Sequence, residues 1–489
     1  MSREILQDII KDFNPEKFVL FFRRKNSAAF APRKENLSQY DDAHFRTGIK
    51  LGEIQFTHRD TKGNENVIPA KAGIQEIKTL DSRLHGNDGL GVFSDEKMLI
   101  CAFEATQPLS ERSGKKAQYE KGKKILKDSQ SDAGIFIFHD INNNFRFSLI
   151  YAEYLGVKRK FSYFKRLTFF VSSRLTNKTF LQQIGECDFS FFESIKEAFS
   201  VEPVTKQFYG ELQNWYFWAM DKIKFPEDYK YSNDPAKDKE IRNATNLIRL
   251  ITRIIFIRFL TEKGLIPPEL FSREKLGKII KDFMKGKKAS NFYNAILQNL
   301  FFGTLNQKMD EREFAEDHNR FNKLDQGIKN RYRYPEKFNI SKEEVKSLFK
   351  DIPFLNGGLF DCLDKYDEEE LKKGKKEQIF VDGFTRVVNK QPIIPDYLFF
   401  QQEEERVDLS NYGLGKSRTV RGLIEILNSY NFTIDENTPV DQEIALDPEL
   451  LGRVFENLLA SYNPETATTA RKATGSYYTP REIVDYMVE

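Results

Sequence analysis

The chain has 489 residues, 40% of them apolar and 30% charged, with a net charge of only +3. That balance excludes a disordered polyelectrolyte and leaves local basic patches, not overall charge, as the route to nucleic acid. Three scattered cysteines, Cys101, Cys187 and Cys362, none in a C-x-x-C pair, exclude a disulfide framework or a zinc site. At roughly 100–200 residues per domain, the length accommodates about three domains. The 44 phenylalanines, beside many Lys, Ile and Asn, read as A/T-rich coding bias and not as an aromatic function.

The opening MSREILQDIIKDF is charged and amphipathic, unlike a signal peptide. The first ~175 residues then read as mixed α/β. Strand-like runs fall at Ile49–Phe56, Lys97–Thr106, Gly134–His139, Phe145–Tyr151 and Arg166–Ser172, with a lysine-rich helix at Ser113–Leu126. From Asn177 to Ile266 the pattern turns helical, with helices expected at Ser190–Phe199, Phe208–Met220 and Asn243–Lys263. The most apolar run, Leu247–Leu260, is too short to span a bilayer and carries Arg249, Arg253 and Arg258, so a buried helix is expected. Residues 267–440 are less regular, with the turn-like IPFLNGGLF at Ile352–Phe360 and a solvated charge run at Asp367–Lys376. The expected location is the cytoplasm, without a membrane partner.

Val67–Leu90, VIPAKAGIQEIKTLDSRLHGNDGL, has neither helical nor strand period and interrupts a hairpin. It resembles the peptide read from a bacterial intergenic inverted-repeat element, which implies an insert without function. Setting it aside joins LGEIQF (Leu51–Phe56) to KMLICAFEAT (Lys97–Thr106) as an antiparallel pair. That pairing is expected to bring Glu53 and Glu104 together, and two carboxylates at one place can hold Mg²⁺. The pattern resembles the D…E-x-K site of PD-(D/E)XK nucleases, and Gln118 and Tyr119 on the next helix are similar to the same family. Glu53 stands where that family has Asp, and Thr106 where it has Lys. An active nuclease, a divergent inactive one and unrelated surface acids all stay open. Basic residues cluster at Arg112–Lys127 (Arg112, Lys115, Lys116, Lys121, Lys123, Lys124 and Lys127) and at Lys158–Arg166 (Lys158, Arg159, Lys160, Lys165 and Arg166, interleaved with Phe161, Tyr163 and Phe164). Either patch can neutralise phosphates of double-stranded DNA or be a solvated face.

Near the C-terminus, Asp447-Pro448-Glu449 starts a helix whose Leu451, Val454, Phe455, Leu458 and Leu459 form one apolar face. In GSYYTPREIVDYMVE, Thr479 can cap the last helix, Pro480 suits its first turn and Glu482 completes a capping box. This segment resembles motif X of γ-type N6-adenine DNA methyltransferases, which lines the methionine end of S-adenosylmethionine. LDPELLGRVFENLLA, IPFLNGGLFDCLD, RLITRIIFIRFLTEKGLI and QYEKGKKIL extend the likeness to large Type IIG restriction–modification methylases. The resemblance implies Tyr477, Tyr478, Thr479 and Pro480 as cofactor-lining residues and adenine N6 methylation as the parent reaction. No Gly-rich loop follows motif X, and no Asn-Pro-Pro-Tyr or Asp-Pro-Pro-Tyr occurs. The expectation is therefore an N-terminal fragment without methyl transfer of its own, the remainder being encoded separately. The expected architecture is α+β: a nuclease-like domain at 1–175, a mainly helical connector at 176–440, and a lead-in with motif X at 441–489, with the Rossmann-like domain missing.

Overall fold

The computed structural model describes residues 2–56, 97–111, 113–154, 161–318, 329–355, 357–375, 377–433 and 441–446. The chain divides into two compact units, 1–204 with 435–446, and 205–434 with 447–489. Among the described residues no helix is long and apolar enough to cross a membrane.

The first unit opens with α1 (Ser2–Lys11) and α2 (Pro15–Lys25). Asn14 caps α2 by accepting from the Glu16 N–H at 2.9 Å, and Pro15 takes the first turn, where a missing N–H costs nothing. Then follow β1 (Phe30–Asn36), β2 (Phe45–Gln55), β3 (Lys97–Ala105), α3 (Lys115–Asp128), β4 (Ala133–His139), β5 (Phe145–Tyr154), β6 (Phe161–Val171), α4 (Lys178–Glu186) and α5 (Phe192–Ala198). A short β7 (Asp441–Glu443) returns to complete the sheet. The described strands form one sheet in the order β1-β2-β3-β4-β5-β6-β7. β1, β2 and β3 are an antiparallel meander, β4 lies parallel to β3, and β7 parallel to β6. A parallel neighbour needs a long crossover, and α3 supplies it.

Strand alternation sorts the sheet into two buried faces. Leu99, Cys101, Phe103, Phe136, Phe138 and Ile150 face α3, which closes over them with Ile125 and Leu126. The helix comes close enough because residue 122 is glycine: a Cβ there would collide with Ile150 Cδ1. The other face is aromatic. Phe18 of α2 stacks on Phe147 at 5.5 Å, Phe147 on Phe199 at 5.5 Å, and Phe169 meets the edge of Phe180 at 5.6 Å. Whatever the codon usage, many of the phenylalanines fill this core. They also place α4 and α5 in the first unit, although both lie beyond residue 175.

The expected strands and the helix between them form, with β2 starting at Phe45 and β5 and β6 longer than expected. β1 was not expected, because Arg33, Lys34 and Glu35 give it a polar sequence; its outer residues are exposed. The second unit is helical with irregular connections. Its long helices are α6 (Glu202–Met220), which belongs to this unit from Thr205 on, and α7 (Pro235–Glu262), capped by Asp234. Phe292–Leu305 winds as a π-helix, with every residue buried. Gly122→Val should therefore destabilise the first unit by about 1–3 kcal/mol through overpacking, read as a lower urea midpoint; an unchanged midpoint would show that α3 can move away from the sheet at no cost.

Candidate functional site

The antiparallel hairpin joining β2 and β3 exists, but its register separates the two acids expected to meet. Glu53 is opposite Leu99, and Glu104 is opposite Arg46. Five residues of strand part Leu99 from Glu104, roughly 16 Å. The reason is the length of β2: it begins at Phe45, so Glu53 lies near the hairpin tip while Glu104 lies at the far end of β3. Val67–Leu90 falls outside the described residues.

Each carboxylate is held by a cation of its own. Glu53 pairs with Lys50. Burial pushes the Glu53 carboxyl up, but the Lys50 hydrogen bond and charge outweigh it and hold it below its ordinary range. Arg46 Nη2 donates to Glu104 Oε1 at 2.8 Å and Thr47 Oγ1 to Oε2 at 3.3 Å. The Arg46 hydrogen bond likewise lowers the Glu104 carboxyl. On β4, His139 is in register with Glu104 and stacks on Phe13 at 4.4 Å. Burial pushes the His139 imidazole down to about 4, against the opposing pull of Glu104 and Asp140. Thr106 does not face the site as a free hydroxyl: its Oγ1 donates to the Ala43 carbonyl at 2.8 Å.

The same end of the sheet holds a second ion pair, one that strand alternation alone did not reveal. Lys121, on the buried side of α3, lies 2.7 Å from Asp42 Oδ2 and over the rings of Phe45 and Phe103 at 5.6 and 5.4 Å. Asp42 Oδ1 also accepts from the His44 and Phe45 N–H groups at 2.8 and 2.9 Å. The sequence signal was Asp41-Asp42 just before β2, at the strand end that meets Glu104. Among the described residues, no group of three His, Cys, Asp or Glu side chains is placed to hold a metal ion. With a guanidinium opposite Glu104, the donor set does not fit a Mg²⁺ centre.

The basic patches also resolve differently. Arg112, Arg159 and Lys160 lie outside the described residues, as do Tyr477, Tyr478, Thr479 and Pro480. Arg166 is wholly buried and donates to the Lys115 carbonyl at 2.8 Å, so it braces α3 and offers nothing to a phosphate at the surface. Lys165 and Lys115 are half-buried, Lys123 pairs with Glu120 at 3.5 Å, and Lys116 and Lys124 are exposed. The three cysteines are buried; burial pushes the Cys101 and Cys187 thiols up to about 12 and about 11, as for packing residues.

In the second unit, two of the sequence phrases meet in a buried ionic network. Arg253 of α7 donates to the Leu359 and Asp361 carbonyls at 2.7 and 2.9 Å. Arg249 Nη2 lies 3.2 Å from Asp382, and Arg253 Nη1 3.6 Å from it. Asp382 also accepts from the Leu363 N–H at 2.7 Å. Asp364 accepts four backbone N–H groups, from Val381 through Phe384. RLITRIIF and LFDCLD are thus two sides of one structural joint.

No profile of a known protein family matches the chain, and no solved structure does. One relative from Methanocaldococcus jannaschii, named as a type II restriction enzyme and methyltransferase, is 24% identical over 305 residues. The match covers 59% of this chain and 19% of that protein, so this chain spans about a fifth of its relative's length. The chain is thus distantly related to a restriction–modification enzyme.

Two measurements test this reading of the charged groups. His139 is held neutral in the folded state, so stability is full above its ordinary range and falls as pH drops from about 6.5 toward about 4. His139→Phe should remove that loss, up to about 3 kcal/mol, and flatten the thermal midpoint between those pH values; an unaltered slope would refute it. In the second unit, Arg253→Met should cost about 1–3 kcal/mol, because it takes the donor from the buried Leu359 and Asp361 carbonyls and leaves Asp382 with Arg249. Combined with Asp382→Asn it should cost clearly less than the sum of the two single changes; strict additivity in urea unfolding would mean the two are not coupled.

Proposed function

We propose that this chain is the DNA-contacting front part of a restriction–modification enzyme whose parent reaction is methyl transfer from S-adenosylmethionine to adenine N6. The carrying observation is the similarity over 305 residues to a protein named for both restriction and methylation. The motif X likeness at Gly475–Glu489 supports the adenine-specific class and assigns Tyr477, Tyr478, Thr479 and Pro480 to the cofactor, with residues 441–489 as the lead-in to the methyltransferase domain. S-adenosylmethionine supplies the methyl group when bound.

The β1-β2-β3-α3-β4 order supports a nuclease-like ancestry for the first unit. The geometry at Glu104 favours a domain that holds DNA without cutting it. A carboxylate neutralised by Arg46 contributes no net negative charge toward a cation, and the place opposite it on β2 is occupied by that arginine. Lys116 and Lys124 on the exposed side of α3 are the described cations best placed for a duplex. Metal-dependent cleavage through Glu53 and Glu104 is the competing reading.

The 489-residue chain should bind duplex DNA, with affinity falling at least about tenfold between about 50 and about 200 mM salt. It should leave supercoiled plasmid intact with Mg²⁺ present. Mg²⁺-dependent nicking that disappears in Glu104→Ala would establish the competing reading instead, and salt-independent or absent DNA binding would remove the proposal.

A further inference from the structure

We propose that the N-terminus of α3 is a binding site for one phosphate of the DNA backbone, built from the helix start, Lys116 and Gln118. This rests on the DNA-contacting role given above and assigns it an atomic location.

The helix has 14 residues and begins at Gly114, whose φ of +72° is the left-handed conformation that glycine adopts freely. Among the described residues no side chain caps it, and its first turn holds no acid but carries Lys115 and Lys116. The cap position is itself a glycine, and the serine before it is used elsewhere: Ser113 Oγ accepts from the Ser110 N–H at 2.7 Å, and Ser110 Oγ from the Ser113 N–H at 3.1 Å. An uncapped start of this kind presents N–H groups and the positive end of the helix dipole to an anion.

Two wholly buried arginines hold the loop in that shape from below. Arg146 donates to the Ser110 carbonyl at 2.9 Å and to that of Glu111, and Arg166 to that of Lys115. The observation that points to a ligand is Gln118. It is 0% exposed, and neither amide atom has a hydrogen-bond partner. Its Nε2 lies 3.3 Å from where a Cβ of residue 114 would stand, so the amide sits against the helix start. A buried amide left unpaired is costly, and a phosphate oxygen at the bare Gly114 would satisfy its N–H. Glu111 and Glu120 are the carboxylates nearest in sequence, and Glu120 is already paired with Lys123.

The test uses the full chain with duplex DNA and, separately, inorganic phosphate against chloride at equal ionic strength. Gln118→Leu should bind duplex about tenfold more weakly, the loss expected of a charge-assisted hydrogen bond, without a lower thermal midpoint. Lys116→Ala, an exposed change that leaves folding intact, should weaken binding and reduce the salt slope by about 1. Unaltered chain that binds duplex, with both variants matching it, would overturn the site and leave the DNA-contacting role standing. Phosphate stabilisation lost in Gln118→Leu, without any duplex binding, would assign the site to free phosphate and overturn both. Absence of phosphate stabilisation and of duplex binding in the unaltered chain would also overturn both.

Discussion

An antiparallel hairpin brings the first residues of one strand beside the last residues of the other, and in this protein that constraint decides which charges meet. β2 starts at Phe45, so the partner of Glu104 is Arg46. Asp42 reaches Lys121 because it immediately precedes that strand. The separation of Glu53 from Glu104 follows from the same register. So does the ion pair that takes the position where a second metal-binding carboxylate would be needed.

Some of the charge in this molecule is turned inward. Arg146, Arg166 and Arg333 are essentially inaccessible, and Arg253 is 2% exposed. A guanidinium can tolerate burial when its planar fork of N–H groups finds carbonyls or carboxylates, and here backbone carbonyls supply most of the described partners. Such arginines fix irregular backbone where neither helix nor sheet hydrogen bonds do so. The loop before α3 and the turn after Gly358 are both held in this way. A basic residue in a lysine- and arginine-rich stretch is therefore ambiguous: Lys116 faces solvent, whereas Lys121, five residues later and on the opposite side of the helix, is a core residue.

The two units reach stability by different means. The first relies on a sheet covered on both faces, by α3 on one side and by interlocked phenylalanines on the other. The second has little sheet and many short segments, and it satisfies buried polar groups individually. Asn299, inside the π-helix, donates to the Ala295 and Arg333 carbonyls and accepts from the Arg333 N–H. Gln298 bonds the Asp382 carbonyl and the Tyr334 hydroxyl. Once sequence periodicity fades, fold specificity here rests on such paired groups, and leaving any one of them unpaired in the core would be costly.

Local pattern sufficed for a good deal of this. Alternation identified β3 to β6, and helical spacing identified α3 and the apolar run within α7. Glu104 was recognisable as a residue of interest from its place in a strand, and Gln118 from the resemblance of its helix to the nuclease family. The sequence could not show that Arg46 would face Glu104, that Arg166 would turn under α3, or that Arg253 would join LFDCLD to α7. Those facts depend on strand register and on pairs more than a hundred residues apart, such as Arg253 with Asp361. Periodicity reports which side of an element is buried; it carries no record of which distant group will be buried against it, and for a charged side chain that partner determines whether it binds a ligand or holds the fold together.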